Sequence, residues 1–404
     1  MADIPRSAGT VQGLALTFPI TLIVMGIVLL APILPQMKAH FADVPYADFL
    51  VPLTLTIPAL CVALFSWVAG WLADRIGRRR LLLVAVGLYA VLGVAPTMLD
   101  SLGAIFATRV GLGLCEAVII TVTTTLLGDL FSGEQRTRWL ANQTAVASLS
   151  ALVLFVIGGA MGVHGWRTPF LVYLVSLVML FGIWRYTWEP AARAQRESHE
   201  HYVPLPWKRL LGICAVTLLA SVFFYILQVQ MSVALTEHGV TNPATIGWLT
   251  SIASLGVPAG TLLFRAAARR LSTAQLLTLE FLVIAIGFVG MTHASDYRAL
   301  MAFGALNQIG CGMSLPTLLT WAVRGLVFAN RGRGTGIWQS VFSVGQTVSA
   351  VAIPAIARLI GSPDITPTFQ YFGYAAAVAC VVAFVASLRV ETVPHALAEA
   401  TVSG

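Results

Sequence analysis

Charge is what this sequence has least of. Asp, Glu, Lys and Arg together make up 10% of its 404 residues, against 58% hydrophobic side chains. A soluble domain carries about 25% charge, so there is too little here to coat a water-facing surface. Disorder is excluded by the same comparison, because disordered chains are rich in charge and poor in apolar residues. Lysine is nearly missing. Lys38 and Lys208 are the only two, and neither follows a glycine. A P-loop is therefore ruled out, and with it a nucleotide-driven pump. The five cysteines (Cys61, Cys115, Cys214, Cys311 and Cys380) lie in apolar stretches without a C-x-x-C pair, which argues against a disulfide framework or a zinc site. The seven histidines fall in loops or at the ends of apolar runs, none four residues from another. A helix-borne pair of metal ligands is thus absent, and no metal or cofactor is expected.

What is present is long uncharged runs. A bilayer needs about 20 apolar residues per helical crossing. Clean runs cover 13–36, 50–73, 81–99, 139–166 and 168–184, then 210–236, 239–264, 299–323, 334–357 and 365–388. Two more carry internal charge: 101–128 holds Arg109 and Glu116, and 271–295 holds Glu280. The expected fold is an all-α membrane protein of twelve transmembrane helices. The first run is too long for a signal-peptide core and is read as a retained span.

The most polar stretch, 188–209, divides the spans six and six. It is read as a cytoplasmic linker between an N-terminal bundle, 1–187, and a C-terminal bundle with a short tail, 210–404. With the N-terminus in the cytoplasm, Lys38, Arg167, Arg298 and Arg358 fall on the outer side and Arg109 inside a span. The other 19 of the 24 cationic side chains then fall on the inner side. That asymmetry places both termini in the cytoplasm, as in a bacterial-type inner membrane. The anionic inner leaflet accounts for the net charge of +7, so no nucleic-acid partner is expected. The halves also echo one another. Gly70, Leu72, Arg75, Arg79 and Arg80 recur as Gly260, Leu262, Arg265, Arg269 and Arg270. Repeated halves are expected of a secondary transporter whose site lies between them.

The segment Gly70-Trp-Leu-Ala-Asp-Arg-Ile-Gly-Arg-Arg-Arg80 resembles the loop signature of the major facilitator superfamily, between helices 2 and 3. Arg109 to Ala117, Gly158-Gly159 with Gly165-Trp166-Arg167, and Arg331 to Gly334 are similar to further family motifs, in order. The resemblance implies two pseudo-symmetric six-helix bundles that alternate access around a central site, with the chain acting as a monomer. It also implies a gate built from Gly70, Asp74, Arg75, Gly77, Arg78 and Arg79, with Asp74 bonding at the start of helix 11. The wording of 30–36 and 52–80 resembles bacterial drug and metabolite exporters. The exporters' helix 5 antiport motif lacks its leading glycine and proline at 154–155, and Gly113 to Ala117 is closer to organic-anion symporters and spinster-like carriers.

Charge inside a span costs about 2.5–3.5 kcal/mol per residue on the insertion scale and marks functional candidates. Arg109 and Glu116 stand seven apart, within about 20° of one face and about 10 Å along the axis, placed to bracket a polar cavity. Burial and a nearby arginine act on a carboxyl in opposite directions, so an acid held between them can exchange a proton as access alternates. The first span has no acid, which puts the weight on Glu116. Glu280 is expected to reach back toward Arg269 or Arg270. The polar lining of a substrate pocket is read from Asn142, Gln143, Tyr225, Gln228, Asn307, Gln308, Trp338, Gln339 and Gln346. Such a mixture suits a small amphipathic solute. The expected activity is proton-coupled efflux of such a solute. The alternative is proton-coupled uptake of an organic anion, with Arg109 clamping the anion.

Overall fold

Where a chain this apolar meets lipid, every backbone N–H and C=O must be satisfied within the protein, and helices do this locally. The computed structural model describes residues 8–189, 205–324, 326 and 328–389, and among these there is no strand. Linker residues 190–204, the tail 390–404 and the side chains of Arg331 and Gly332 lie outside the described residues. Among the described residues, eleven helical stretches are long and apolar enough to cross a bilayer. We label them with the twelfth in chain order: α1 (Thr10–His40), α2 (Ala47–Ile76), α3 (Arg78–Met98), α4 (Leu102–Leu130), α5 (Gly133–Gly162) and α6 (Thr168–Tyr186). The second set is α7 (Trp207–Glu237), α8 (Pro243–Ala267), α9 (Thr273–Thr292), α10 (Tyr297–Val323), α11 (Arg333–Ile360) and α12 (Thr366–Leu388). Helix α10 has 27 residues but is not apolar enough to stand with the other eleven, because Asn307 and Gln308 interrupt its middle.

The boundaries follow local chemistry. Helix α5 starts six residues before the apolar run does, at Gly133, because Glu134, Arg136 and Arg138 are sound helix formers at a water-facing end. Asn242 caps α8, with Pro243 at the first helical position. Ser272 and Gln275 form a capping box at α9, and Asp296 caps α10 through the Ala299 N–H at 2.8 Å. Glu237, the last residue of α7, accepts from the N–H groups of Ile365 (2.6 Å) and Thr366 (2.9 Å) at the start of α12.

The chain forms two compact units. The first holds α1 to α6 except Ala31–Pro35, which group with α7 to α12 in the second. Within the first unit α4 packs on α2 and α3, α6 packs on α3, and α5 on α1. Within the second the same scheme repeats: α10 on α8 and α9, α12 on α9, α11 on α7. The outward faces stay apolar. Trp67, Val178 and Leu388 are each more than 70% exposed, a cost in water that disappears when lipid is the solvent.

Candidate functional site

The glycine-and-arginine signature between α2 and α3 is held by acids. Gly77 takes φ +103°, which reverses the chain at little cost only for glycine. Arg78 then reaches two carboxylates, Asp74 at 3.0 Å and Asp129 at the end of α4. Glu189, just past α6, accepts from the N–H groups of Arg78 (2.6 Å) and Arg79 (3.0 Å). A carboxylate there satisfies free donors and complements the positive end of the helix. The Arg79 guanidinium donates to the Trp184 carbonyl at 2.7 Å, and Arg75 lies 3.9 Å over the Trp71 ring. Gly70 meets nothing closer than the Thr121 methyl, 3.8 Å from where a Cβ would stand, so it is under no steric demand. Asp129 and Glu189 were not singled out by the sequence. For Asp129 a signal existed: an acid in the last turn of a helix opposes the dipole and so calls for a cation.

The two acids on Arg78 differ in exposure, 20% for the Asp129 side chain and 66% for that of Asp74. A charge-assisted bond that is largely shielded contributes about 1.5–3 kcal/mol, an exposed pair about 0–1 kcal/mol. Asp129→Asn is therefore expected to lower the unfolding temperature of purified protein well beyond Asp74→Asn. The reverse order would refute this ranking.

Deeper in the first unit, Arg109 is fully buried on α4. It donates to the Tyr173 hydroxyl (3.0 Å) and to the Leu92 and Gly93 carbonyls (3.3 and 3.2 Å). Its guanidinium also lies over the Phe170 and Tyr173 rings, at 5.1 and 4.9 Å. Gly93 makes this possible, since a Cβ there would overlap the Tyr173 ring. Tyr89 lies tilted against the Tyr173 ring, at 5.5 Å between centroids, and donates to the Leu22 carbonyl at 2.5 Å. The expected bracket is thus not formed as drawn: Arg109 ties α3, α4 and α6, and it makes no ion pair with Glu116. Glu116 lies against α1. It is 2% exposed, and its Oε1 has no hydrogen-bond partner. A Cβ at Gly26 would stand 3.0 Å from that oxygen, so glycine on α1 leaves the carboxyl its room. Gln143 spans α4 and α5 through long bonds with Thr124 (3.4 Å) and Thr123 (3.5 Å), while Asn142 is half-buried.

In the second unit the predicted pocket residues separate into two groups. Gln228 on α7 donates to Gln308 on α10 at 3.3 Å. Beside them Tyr225, Phe224, Phe342 and Trp338 form an aromatic cluster, with Trp338 stacked on Phe342 at 5.6 Å. Gln228 Oε1, both amide atoms of Gln230 and the Trp338 Nε1 are buried without partners. Unpaired buried polar atoms are rare enough to mark a place where water or a ligand bonds. Gln339 is exposed and Gln346 half-buried on α11. Asn307 belongs elsewhere. It turns toward α9, donates to the Ile284 carbonyl at 3.3 Å and accepts from Cys311 Sγ at 3.5 Å. Its role is to tie helices, not to line the aromatic cluster.

Glu280 corrects the sequence reading. It does not reach back to Arg269 or Arg270. It is fully buried and accepts from the Thr317 hydroxyl on α10, with Oε2 unpartnered. Among the described residues no cluster of His, Cys, Asp and Glu could hold a metal ion.

The family model described as Major Facilitator Superfamily matches residues 16–241 and 210–403. The chain is 24% identical over 367 residues to the class C tetracycline resistance protein of Escherichia coli, covering 83% of this chain and 87% of that one. It is also 24% identical over 300 residues to the 3-(3-hydroxy-phenyl)propionate transporter of Escherichia coli K12, covering 72% of each. Among solved structures, that of a D-xylose-proton symporter superposes with a TM-score of 0.75 at 13% identity, covering 92% of this chain and 96% of that one.

Proposed function

The chain belongs to the Major Facilitator Superfamily and is a multi-pass membrane transporter, and on that footing we propose that it exports a small amphipathic organic solute in exchange for protons, with Glu116 as the proton carrier. The observation that carries this reading is the Glu116 carboxyl itself. It is buried in the first unit, free of any ion pair, with one oxygen unbonded against Gly26. An acid without a fixed cation can take up and give up a proton as water reaches it from alternate sides. Tyr225, Phe342 and Trp338 offer ring faces for an apolar solute, and Gln228 and Gln308 offer amides for its polar end. The orientation that goes with this reading keeps both termini on the cytoplasmic side, in a bacterial-type inner membrane.

The likeness to the hydroxyphenylpropionate transporter favours a second reading, proton-coupled uptake of an aromatic carboxylate. The placement of Arg109 weighs against it, since its guanidinium is already engaged by a hydroxyl and two carbonyls. Proteoliposomes holding an inside-acid gradient and a pH-sensitive dye separate the two. Export predicts that adding tetracycline dissipates the gradient. Uptake predicts that 3-(3-hydroxyphenyl)propionate moves in the same direction as the protons and tetracycline has no effect.

A further inference from the structure

The second unit holds a crevice of about 850 Å³ that none of the transport residues lines. It opens among α7, α9, α10 and α12, and its two ends differ in chemistry. At one end stand Arg209, in the first turn of α7, and Arg324, just past the end of α10. The Ser272–Ala274 start of α9 borders the same end. The rest of the lining is apolar, with Leu277 and Phe281 from α9 facing Val378 and Val382 from α12. Those two valines are each 64% exposed, so the slot is open on the side where the helices meet lipid.

Neither arginine has an acid within ion-pair distance among the described residues. Arg209 donates to the Trp321 carbonyl at 3.4 Å. Arg209 is exposed and Arg324 half-buried, so both guanidinium groups are open to an anion beside the apolar slot, and a phosphate can accept charge-assisted bonds from both. A guanidinium pair favours phosphate by its planar, forked geometry, and basic pockets between membrane helices take anionic headgroups. A volume of this size suits one bound small molecule or chain rather than a protein segment. A free anion would satisfy the arginines and leave the slot empty; a neutral chain would do the reverse.

We propose that this crevice binds one anionic phospholipid, with its phosphate between Arg209 and Arg324 and an acyl chain along Leu277, Phe281, Val378 and Val382. The occupant comes from the leaflet on the arginine-rich side of the protein. It is a resident of the second unit and not the transported solute, so the site stands or falls apart from the export reading.

The test is thermal unfolding of detergent-purified full-length protein titrated with phosphatidylglycerol, phosphatidylcholine or inorganic phosphate. At saturating phosphatidylglycerol a rise in Tm of about 5 °C is expected, as for a ligand at about 100 times its Kd, with no rise from the other two. R209Q/R324Q should lose at least half of that shift. Val378→Trp, which fills the slot and keeps both arginines, should lose it as well, and it decides the matter if the double variant does not fold. Equal shifts from both lipids, a shift reproduced by inorganic phosphate, or a full shift in Val378→Trp would each overturn the proposal.

Discussion

Glu116→Gln is expected to abolish solute-driven proton movement in proteoliposomes while the variant still inserts, purifies and unfolds close to the parent temperature. The amide has nearly the shape of the acid, so the gap beside Gly26 remains filled. Because Oε1 has no partner, the substitution breaks no bond at that atom. What it removes is the proton. A carrier that cannot be protonated and deprotonated should still exchange solute for solute when solute is present on both sides, but without a pH signal. Loss of coupled flux by tenfold or more corresponds to about 1.4 kcal/mol or more, and retained counterflow shows that the site is intact. If the Gln variant still collapses the gradient at parental rate, Glu116 is a packing residue and the proton moves elsewhere. Glu280 is then the first place to look, being the other buried acid with an unbonded oxygen among the described residues.

The largest effect on folding is expected at Gly260. Helix α8 crosses α10 with backbone against backbone. A Cβ at Gly256 would stand 2.5 Å from the Ala305 carbonyl oxygen, and one at Gly260 would overlap that of Ile309. From the other side a Cβ at Gly312 would overlap the Val257 carbonyl, and Thr261 Oγ1 donates to the Gly312 carbonyl at 3.1 Å. Small residues four apart are the usual means of bringing membrane helices this close. The atoms in the way are backbone, so no side chain can rotate aside. Gly260→Leu should cost about 3 kcal/mol or more and leave little monodisperse protein in detergent extracts. Gly70→Ala should leave the yield and Tm unchanged or slightly raised, given its open surroundings and the better helix propensity of alanine. Equal behaviour of the two variants would contradict the crossing.

The contrast between Gly70 and Gly260 shows where sequence reading stops. The repeat aligns them, yet one is sterically idle and the other sets an interhelical distance. Span positions were legible because lipid imposes a length and a hydropathy that few other environments do. The weaker hydropathy of α10 was missed: 299–323 reads as a clean run, although Asn307 and Gln308 keep it below the other eleven helices. Which way a residue faces was not legible. On α9, Leu276, Phe281 and Ile284 are buried while Leu279, Leu282 and Ile286 are exposed. Inside and outside are equally apolar in a bilayer, so no stripe tells them apart. Glu280 was therefore sent toward water when it belongs with Thr317. The partners of Arg78 and Arg109 were hidden for a different reason: Asp129, Glu189 and Tyr173 are each more than 50 positions away along the chain, and only folding brings them near.

The Glu189 bonds to the start of α3 also have a mechanical meaning. They moor the chain as it leaves α6, so a pull on that strand is delivered to Arg78 and Arg79 before it reaches α6. A fluorescent tag or tether spliced in directly after Glu189 would load the signature loop like a weight hung on a latch, whereas the same insert placed beside Trp207 would hang from α7 and leave the latch slack.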